Sequence, residues 1–201
     1  MKTFLKFLEG YEKELEKGAT KKGITITVSG ISGVGMGTIA EAIAKDLGIQ
    51  KIAMGDIFRS IAKQRNMQLE KFSATRENKV DYEIEKACLS FAMSGNVVLD
   101  GRMTGMVAGS HSDCRLLIEC GTEKKSIRVA KRENISTEEA TLRLKARDTA
   151  DSAKYMLLYG SDGSDRSSYD AVIDTTNMDI ETSKKEAVKI VRQVLKDKGI
   201  L

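Results

Sequence analysis

The sequence predicts an α/β fold built on a parallel five-stranded sheet with helices on both faces. Two observations carry this. Short β-branched or apolar runs recur along the chain, and stretches with helical spacing separate them. Parallel neighbours need such crossovers, which cover the sheet. The first run, Ile24-Thr25-Ile26-Thr27-Val28, also passes straight into a glycine-rich loop that opens a helix.

The elements follow in order. Residues 1 to about 17 place Phe4, Leu5, Phe7, Leu8, Tyr11 and Leu15 at helical spacing between charges, an amphipathic helix. Lys17-Gly18-Ala19-Thr20-Lys21-Lys22-Gly23 reads as a linker. The chain thus divides into an N-terminal helix and linker (1–22) and a main domain (23–201). The helix is an addition to the core, suited to docking on its own domain or on a second subunit as a homodimer contact. After the first strand and the loop helix (36–47) comes a strand at Gln50–Ala53. Gly55-Asp56-Ile57-Phe58-Arg59 opens another helix, and one helical stretch is expected over 69–94, ending at Gly95. Asn96–Asp100 reads as a buried strand, 103–109 as a short helix and Cys114–Ile118 as the next strand. Ser136 with Glu139 forms a capping box that starts a long helix carrying Arg143, Lys145, Arg147 and Lys154. Tyr169–Asp174 is the last strand and 180–197 the last amphipathic helix. Asp162-Gly163-Ser164-Asp165 lacks the remaining ligand spacing of a calcium loop and reads as a turn.

Ser29 to Thr38 reads S-G-I-S-G-V-G-M-G-T. Strand, glycine loop and helix in succession form a phosphate cradle, because inward N–H groups and the positive helix end meet there. Gly30, Gly33, Gly35 and Gly37 supply the flexibility, with Val34, Met36 and Thr38 completing the binding stretch. Against the pattern G-x-x-x-x-G-K-[ST], Gly30 and Gly35 fit. Met36, however, stands where lysine belongs, and Gly37 where Ser or Thr belongs. Thr38 is then the nearest hydroxyl for a metal ion.

Composition bounds the partners. The chain of 201 residues suits one α/β domain, and its net charge of +4 is mild. No basic stretch interleaved with aromatics marks a nucleic-acid surface. Cys88, Cys114 and Cys120 form no C-x-x-C pair, so they read as reduced core residues rather than a zinc site. His111 sits between serines and reads as a surface histidine. With no spanning segment and no signal-peptide core, a cytoplasmic protein without a membrane partner is expected.

The glycine loop, then A-M-G-D-I-F-R, N-V-V-L-D-G-R, R-L-K-A-R-D and Y-D-A-V-I-D-T-T, in this order and spacing, resembles the cytidylate kinases, especially their archaeal branch. The resemblance runs from about residue 24 to the C-terminus. It implies a three-layer P-loop kinase fold with a helical lid, here about 128–160. It also implies ATP and Mg2+ as cofactors and transfer of a phosphoryl group to a small phosphorylated acceptor. Carried over by position, Arg59 and Arg102 hold the acceptor's phosphate, with Asp56 and Asp100 at the mouth of the site. Asp113 falls near where the family reads the cytosine ring. Lid charge would come from Arg128, Arg132, Arg143 and Arg147, with catalytic roles for Arg147, Arg143 and Lys154. An arginine fork suits phosphate because two N–H groups meet two oxygens. One departure stands in the lid: the family tends to paired arginines before a tyrosine, and here Ala153-Lys154 precedes Tyr155.

Three functions fit these residues. One is phosphorylation of CMP. A second is the same chemistry on another phosphorylated metabolite, such as mevalonate 3-phosphate, which the altered lid would serve. The third is a degenerate nucleotide-binding regulator, which Arg59, Asp100, Arg102 and Arg147 together argue against.

Overall fold

The computed structural model describes residues 2–16 and 21–201, with side chains from Leu8 onward. Residues 17–20 of the predicted linker 17–23 and the side chains of Phe4, Leu5 and Phe7 lie outside the described residues. Five parallel strands form one sheet in the order β2-β3-β1-β4-β5. They are β1 (Thr25–Ser29), β2 (Gln50–Ala53), β3 (Val97–Asp100), β4 (Cys114–Glu119) and β5 (Ala171–Asp174). The predicted α/β class and strand count hold, with boundaries moved by one or two residues.

Alternation along the central strands divides the core in two. Ile26, Val28, Val98, Leu116 and Ile118 face α2 (Met36–Leu47) and α9 (Ile180–Asp197). Val97 and Leu99 face the opposite layer, where α5 (Asn78–Ser94) and α6 (Thr104–Ala108) pack with α3 (Met54–Gln64) and α4 (Leu69–Thr75). The second face of β1 is polar but satisfied. Thr25 Oγ1 donates to Ala92 O at 2.8 Å, and Ser29 Oγ accepts from Gly105 N at 2.9 Å. These bonds replace water for hydroxyls that are fully buried. Helix α1 (Lys2–Glu16) lays Leu8, Tyr11 and Leu15 against the second layer, so its apolar face docks on its own domain.

Two helical expectations change. The stretch 69–94 is broken into α4 and α5, because Arg76 and Glu77 are extended, with ψ of 143° and 150°. The turn lets Arg76 point inward as a buried cation. A further helix not foreseen, α7 (Thr122–Glu133), precedes the long α8 (Thr137–Tyr159). The α7 sequence is rich in Lys, Arg and Glu, which obscures its short apolar stripe. The capping box at the start of α8 forms through Ser136 alone, whose Oγ accepts from Glu139 N at 3.1 Å.

Asp113 requires a correction. It immediately precedes β4 and therefore stands at the amino edge of the sheet, opposite the end that carries the glycine loop. There its carboxylate accepts from Lys21 Nζ at 2.6 Å and Thr25 N at 2.7 Å, clasping the start of β1. Asp113→Ala is expected to lower stability by about 1–3 kcal/mol, since a strand-end N–H loses its partner. Thermal unfolding checks this. Ligand affinity in the cleft should not change.

Candidate active site

Parallel register aligns the carboxyl ends of the inner strands. Val28 lies opposite Asp100, and Asp100 opposite Ala53, so the glycine loop, Asp100 and the start of α3 share one edge. Open α/β sheets bind ligands at this edge. A cleft of about 1450 Å³ occupies it, lined by the glycine loop, Asp56, Arg59, Asp100, Arg102 and Arg147 among others.

The loop folds as its glycines require. Gly33 and Gly35 adopt φ of 83° and 100°, and Gly35 is the residue from which α2 starts. Val34, 1% exposed, pins the loop to the core. A Cβ on Gly35 would meet only Arg128 Nη1, at 3.8 Å, so the space before this glycine is open. Met36 packs against the α2/α9 core layer while still lining the cleft. The position that would carry a lysine therefore contributes apolar packing.

Arg128 lies behind the loop as a staple. Its guanidinium donates to Val34 O and Thr175 Oγ1, each at 3.0 Å, and to Thr175 O at 3.0 Å. Lys51, Lys131, Arg132 and Lys184 also line the cleft. Lys51 pairs with Glu41 at 3.3 Å.

The opposite end of the cleft is a chain of ion pairs. Arg102 donates to Ser32 Oγ at 2.7 Å and Asp148 Oδ1 at 2.8 Å, and lies 3.2 Å from Asp151 Oδ2. Asp148 also accepts from Lys125 at 3.2 Å. Asp151 is 1% exposed and accepts from Arg76 Nη1 at 2.8 Å. Arg147 Nε stands 3.6 Å from Asp151 with no hydrogen-bond partner, and its guanidinium lies over the Phe58 ring at 5.5 Å. Burial, and then neighbouring Arg102, pull Arg147 below its ordinary pKa. Arg59 is half exposed and pairs with Asp56. Arg59, Arg102 and Arg147 thus line one cleft with the loop.

Asp100 stands between the two ends. It is 6% exposed, its Oδ2 has no partner, and a Cβ on Gly37 would lie 3.6 Å from that oxygen. Burial, partly offset by Lys51, raises its pKa to about 6. An orphaned carboxylate oxygen at the cradle fits a hard divalent cation, which takes oxygen ligands. Thr38 is exposed on the same lining.

Other predicted residues are placed elsewhere. Arg143 pairs with Glu139 and Glu133 on an exposed face, outside the cleft lining. Lys154 donates to Arg76 O at 3.1 Å and to Asn78 Oδ1 at 2.5 Å, also outside that lining. Asp113 is on the far edge. Conversely, the cleft includes Phe58, Asp81, Glu85, Asp151 and Tyr155, which sequence reasoning did not single out. The i,i+4 spacings of Asp81 with Glu85 and of Arg147 with Asp151 were the available signal.

Comparison with known proteins agrees with this geometry. The sequence profile of the "Cytidylate kinase-like family" matches residues 25–177. A cytidylate kinase of Pyrococcus horikoshii is 36% identical over 158 residues, covering 78% of this chain and 82% of the relative. One from Pyrococcus abyssi is 37% identical over 155 residues, covering 76% and 85%. In structure, a gluconokinase from Sinorhizobium meliloti matches with a TM-score of 0.59 and 12% identity, covering 89% of this chain and 97% of that one. At that identity the match speaks for the fold.

The loop's glycines should differ in tolerance. A Cβ on Gly30 would stand 2.6 Å from the Ile118 carbonyl oxygen, a backbone atom that cannot swing away. Gly30→Ala is expected to lose about 1–3 kcal/mol or more, as overpacking does. Gly37→Ser has room and should unfold at nearly the wild-type temperature in the same thermal scan.

Proposed function

Because the chain belongs to the cytidylate kinase-like family and is a kinase, we propose that it transfers the γ-phosphoryl group of ATP to cytidine monophosphate. One observation carries the reading: a single cleft joins the glycine loop to Arg59, Arg102 and Arg147, with Asp100 between them. The triphosphate lies against the N–H groups from Gly33 to Thr38, at the positive end of α2. The three arginines take the acceptor's own phosphate. Phosphoryl transfer asks for alignment and charge neutralisation more than for a covalent residue, and this arrangement provides both. Magnesium, when bound, supplies charge neutralisation on the phosphate oxygens; Thr38 and Asp100 are the residues that would hold it.

Helices α7 and α8 act as the lid. Arg147 of α8, with Arg128, Lys131 and Arg132 of α7, is a lid cation on the cleft, whereas Arg143 and Lys154 are engaged on other faces. Closure over the phosphates excludes water and suppresses idle hydrolysis of ATP. Lys154 also favours a second reading. It stands where the family tends to arginine, and it is turned onto Asn78. An acceptor end rebuilt in this way suits a non-nucleotide substrate such as mevalonate 3-phosphate.

ADP release measured with CMP, dCMP, UMP, AMP, mevalonate 5-phosphate and mevalonate 3-phosphate separates the readings. CMP is expected to give the highest kcat/KM. Turnover confined to a mevalonate phosphate would move the enzyme to the second reading, and no turnover with any acceptor would overturn both. Arg147→Ala is expected to lower kcat by roughly 10²-fold or more, the scale of losing one preorganised donor, with ATP affinity nearly unchanged.

The pH dependence follows from Asp100. Its pKa is raised, so the carboxylate is charged above about 6 and neutral below. Magnesium-dependent ATP binding should be complete above that value and fade as pH falls through it. Calorimetric titration across about pH 5 to 8, with and without magnesium, checks the sign. Asp100→Asn should abolish the difference.

A further inference from the structure

Away from the cleft, helix α1 and the turn that precedes β4 bring three metal-ligating side chains together. Glu12 and Glu16 stand four residues apart on α1, so they share one face of that helix. His111 ends the short 3-10 turn Gly109–His111, between α6 and β4. One oxygen from each glutamate and one ring nitrogen of the histidine all lie within 4.8 Å of one another. Among the described residues no other group of histidine, cysteine and acidic side chains converges in this way.

Contacts outside the cluster hold it in place. Leu8, Tyr11 and Leu15 of α1 pack on the second core layer, and Lys86 of α5 lies over the Tyr11 ring at 5.2 Å. His111 Nε2 meets Glu12 Oε1 at 2.5 Å, and both side chains are partly buried. An ion pair of this kind needs only one carboxylate. Glu16 makes no hydrogen bond or ion pair among the described residues, yet it brings a second carboxylate to the same point. Two carboxylates held this close repel each other, and one imidazolium balances only one of them.

The donor set points to the class of ion that would balance the second. Imidazole nitrogen suits zinc and its transition-metal neighbours, whereas magnesium and calcium take oxygen ligands. Helical ligands four residues apart have the spacing that presents two side chains to one zinc ion. Donors around a tetrahedral ion at about 2.1 Å stand roughly 3.4 Å apart, so side-chain rotations alone close the set. Glu16 is exposed, which leaves the remaining coordination position to solvent.

We propose that Glu12, Glu16 and His111 form a zinc-binding site that clamps α1 onto the main domain. The ion joins side chains 99 positions apart in sequence, and a metal clip across so long a loop restrains the unfolded chain most. None of the three residues lines the cleft, so the site stands whatever the cleft phosphorylates.

Titration of tag-free protein with zinc chloride, and in parallel with magnesium chloride, tests the proposal. His111 is the one histidine of the chain, so imidazole NMR signals report on this site alone. Those signals should shift with one equivalent of zinc and stay in place with magnesium. Zinc at about a hundredfold above its Kd is expected to raise Tm by roughly 5 °C or more. Glu16→Gln leaves the Glu12–His111 pair intact, so with EDTA present it should unfold at the wild-type temperature. Its calorimetric affinity for zinc should nevertheless fall at least about tenfold, as should that of His111→Ala. Histidine signals untouched by zinc overturn the proposal. A zinc affinity equal in wild type, Glu16→Gln and His111→Ala does the same, as does a magnesium response of the His111 signals equal to that of zinc.

Discussion

The buried guanidinium of Arg76 is the constraint on which the packing of α4, α5 and α8 at one end of the cleft depends. It bonds to Asp81 on α5, to Asp151 on α8, and to Ser73 O within α4. A cation with no exposed side-chain surface is tolerable only when anions and carbonyls surround it. Removing one partner from such a group typically costs 3–5 kcal/mol, because the remaining charge is left uncompensated. This requirement explains the break between α4 and α5. A continuous helix would carry residue 76 past the point where both carboxylates can be reached.

From Arg76 the ionic chain continues through Asp151 to Arg102, then through Asp148 to Lys125. Arg102 also bonds to Ser32 in the glycine loop. Helix α8, the end of β3 and the glycine loop are therefore joined by one set of alternating charges. Such a set holds arginine forks in place before a ligand arrives, so less ordering is left to the binding step. It also makes Asp148 and Asp151 competitors of any anion that approaches the same donors. Anion binding at Arg102 would thereby be coupled to the placement of α8 through shared partners, in the sense that one guanidinium cannot serve both fully.

The layered fold was legible because it rests on local patterns: apolar runs, helical spacing and a loop whose glycines need their φ values. The glycine cradle, Arg59, Asp100 and Arg102 follow strand ends, and the parallel register brings every strand end to one edge. The same rule argues against a site role for Asp113, which precedes β4 and so belongs to the other edge. Helical spacing placed Arg143 and Arg147 near one face of α8 but could not say which would meet a partner. Glu139 takes the first, and the cleft takes the second. Arg76, Asp81 and Glu85 were invisible for a different reason. Charged residues in a helical stretch are usually solvated, and only long-range contacts with Asp151 and Tyr159 make these a buried cluster.

The missing loop lysine then takes a definite physical meaning. Met36 is held by the α2/α9 core, and Arg128 is saturated by Val34 and Thr175, so neither offers a free charge at the cradle. What remains beside the loop is its backbone, the α2 dipole and exposed cations on the cleft rim such as Lys131 and Arg132. Backbone donors are fixed, whereas half-exposed side chains are mobile and screened by salt. The opposite end is the reverse case, with Arg102 and Arg147 largely buried and held by ion pairs. Charge in this cleft is thus distributed unevenly: rigid at Arg102 and Arg147, soft beside the glycine loop. On the proposed function, positioning would come from the arginine end and nucleotide affinity chiefly from loop geometry. That is consistent with glycines kept at Gly30, Gly33, Gly35 and Gly37 while the lysine between them is absent.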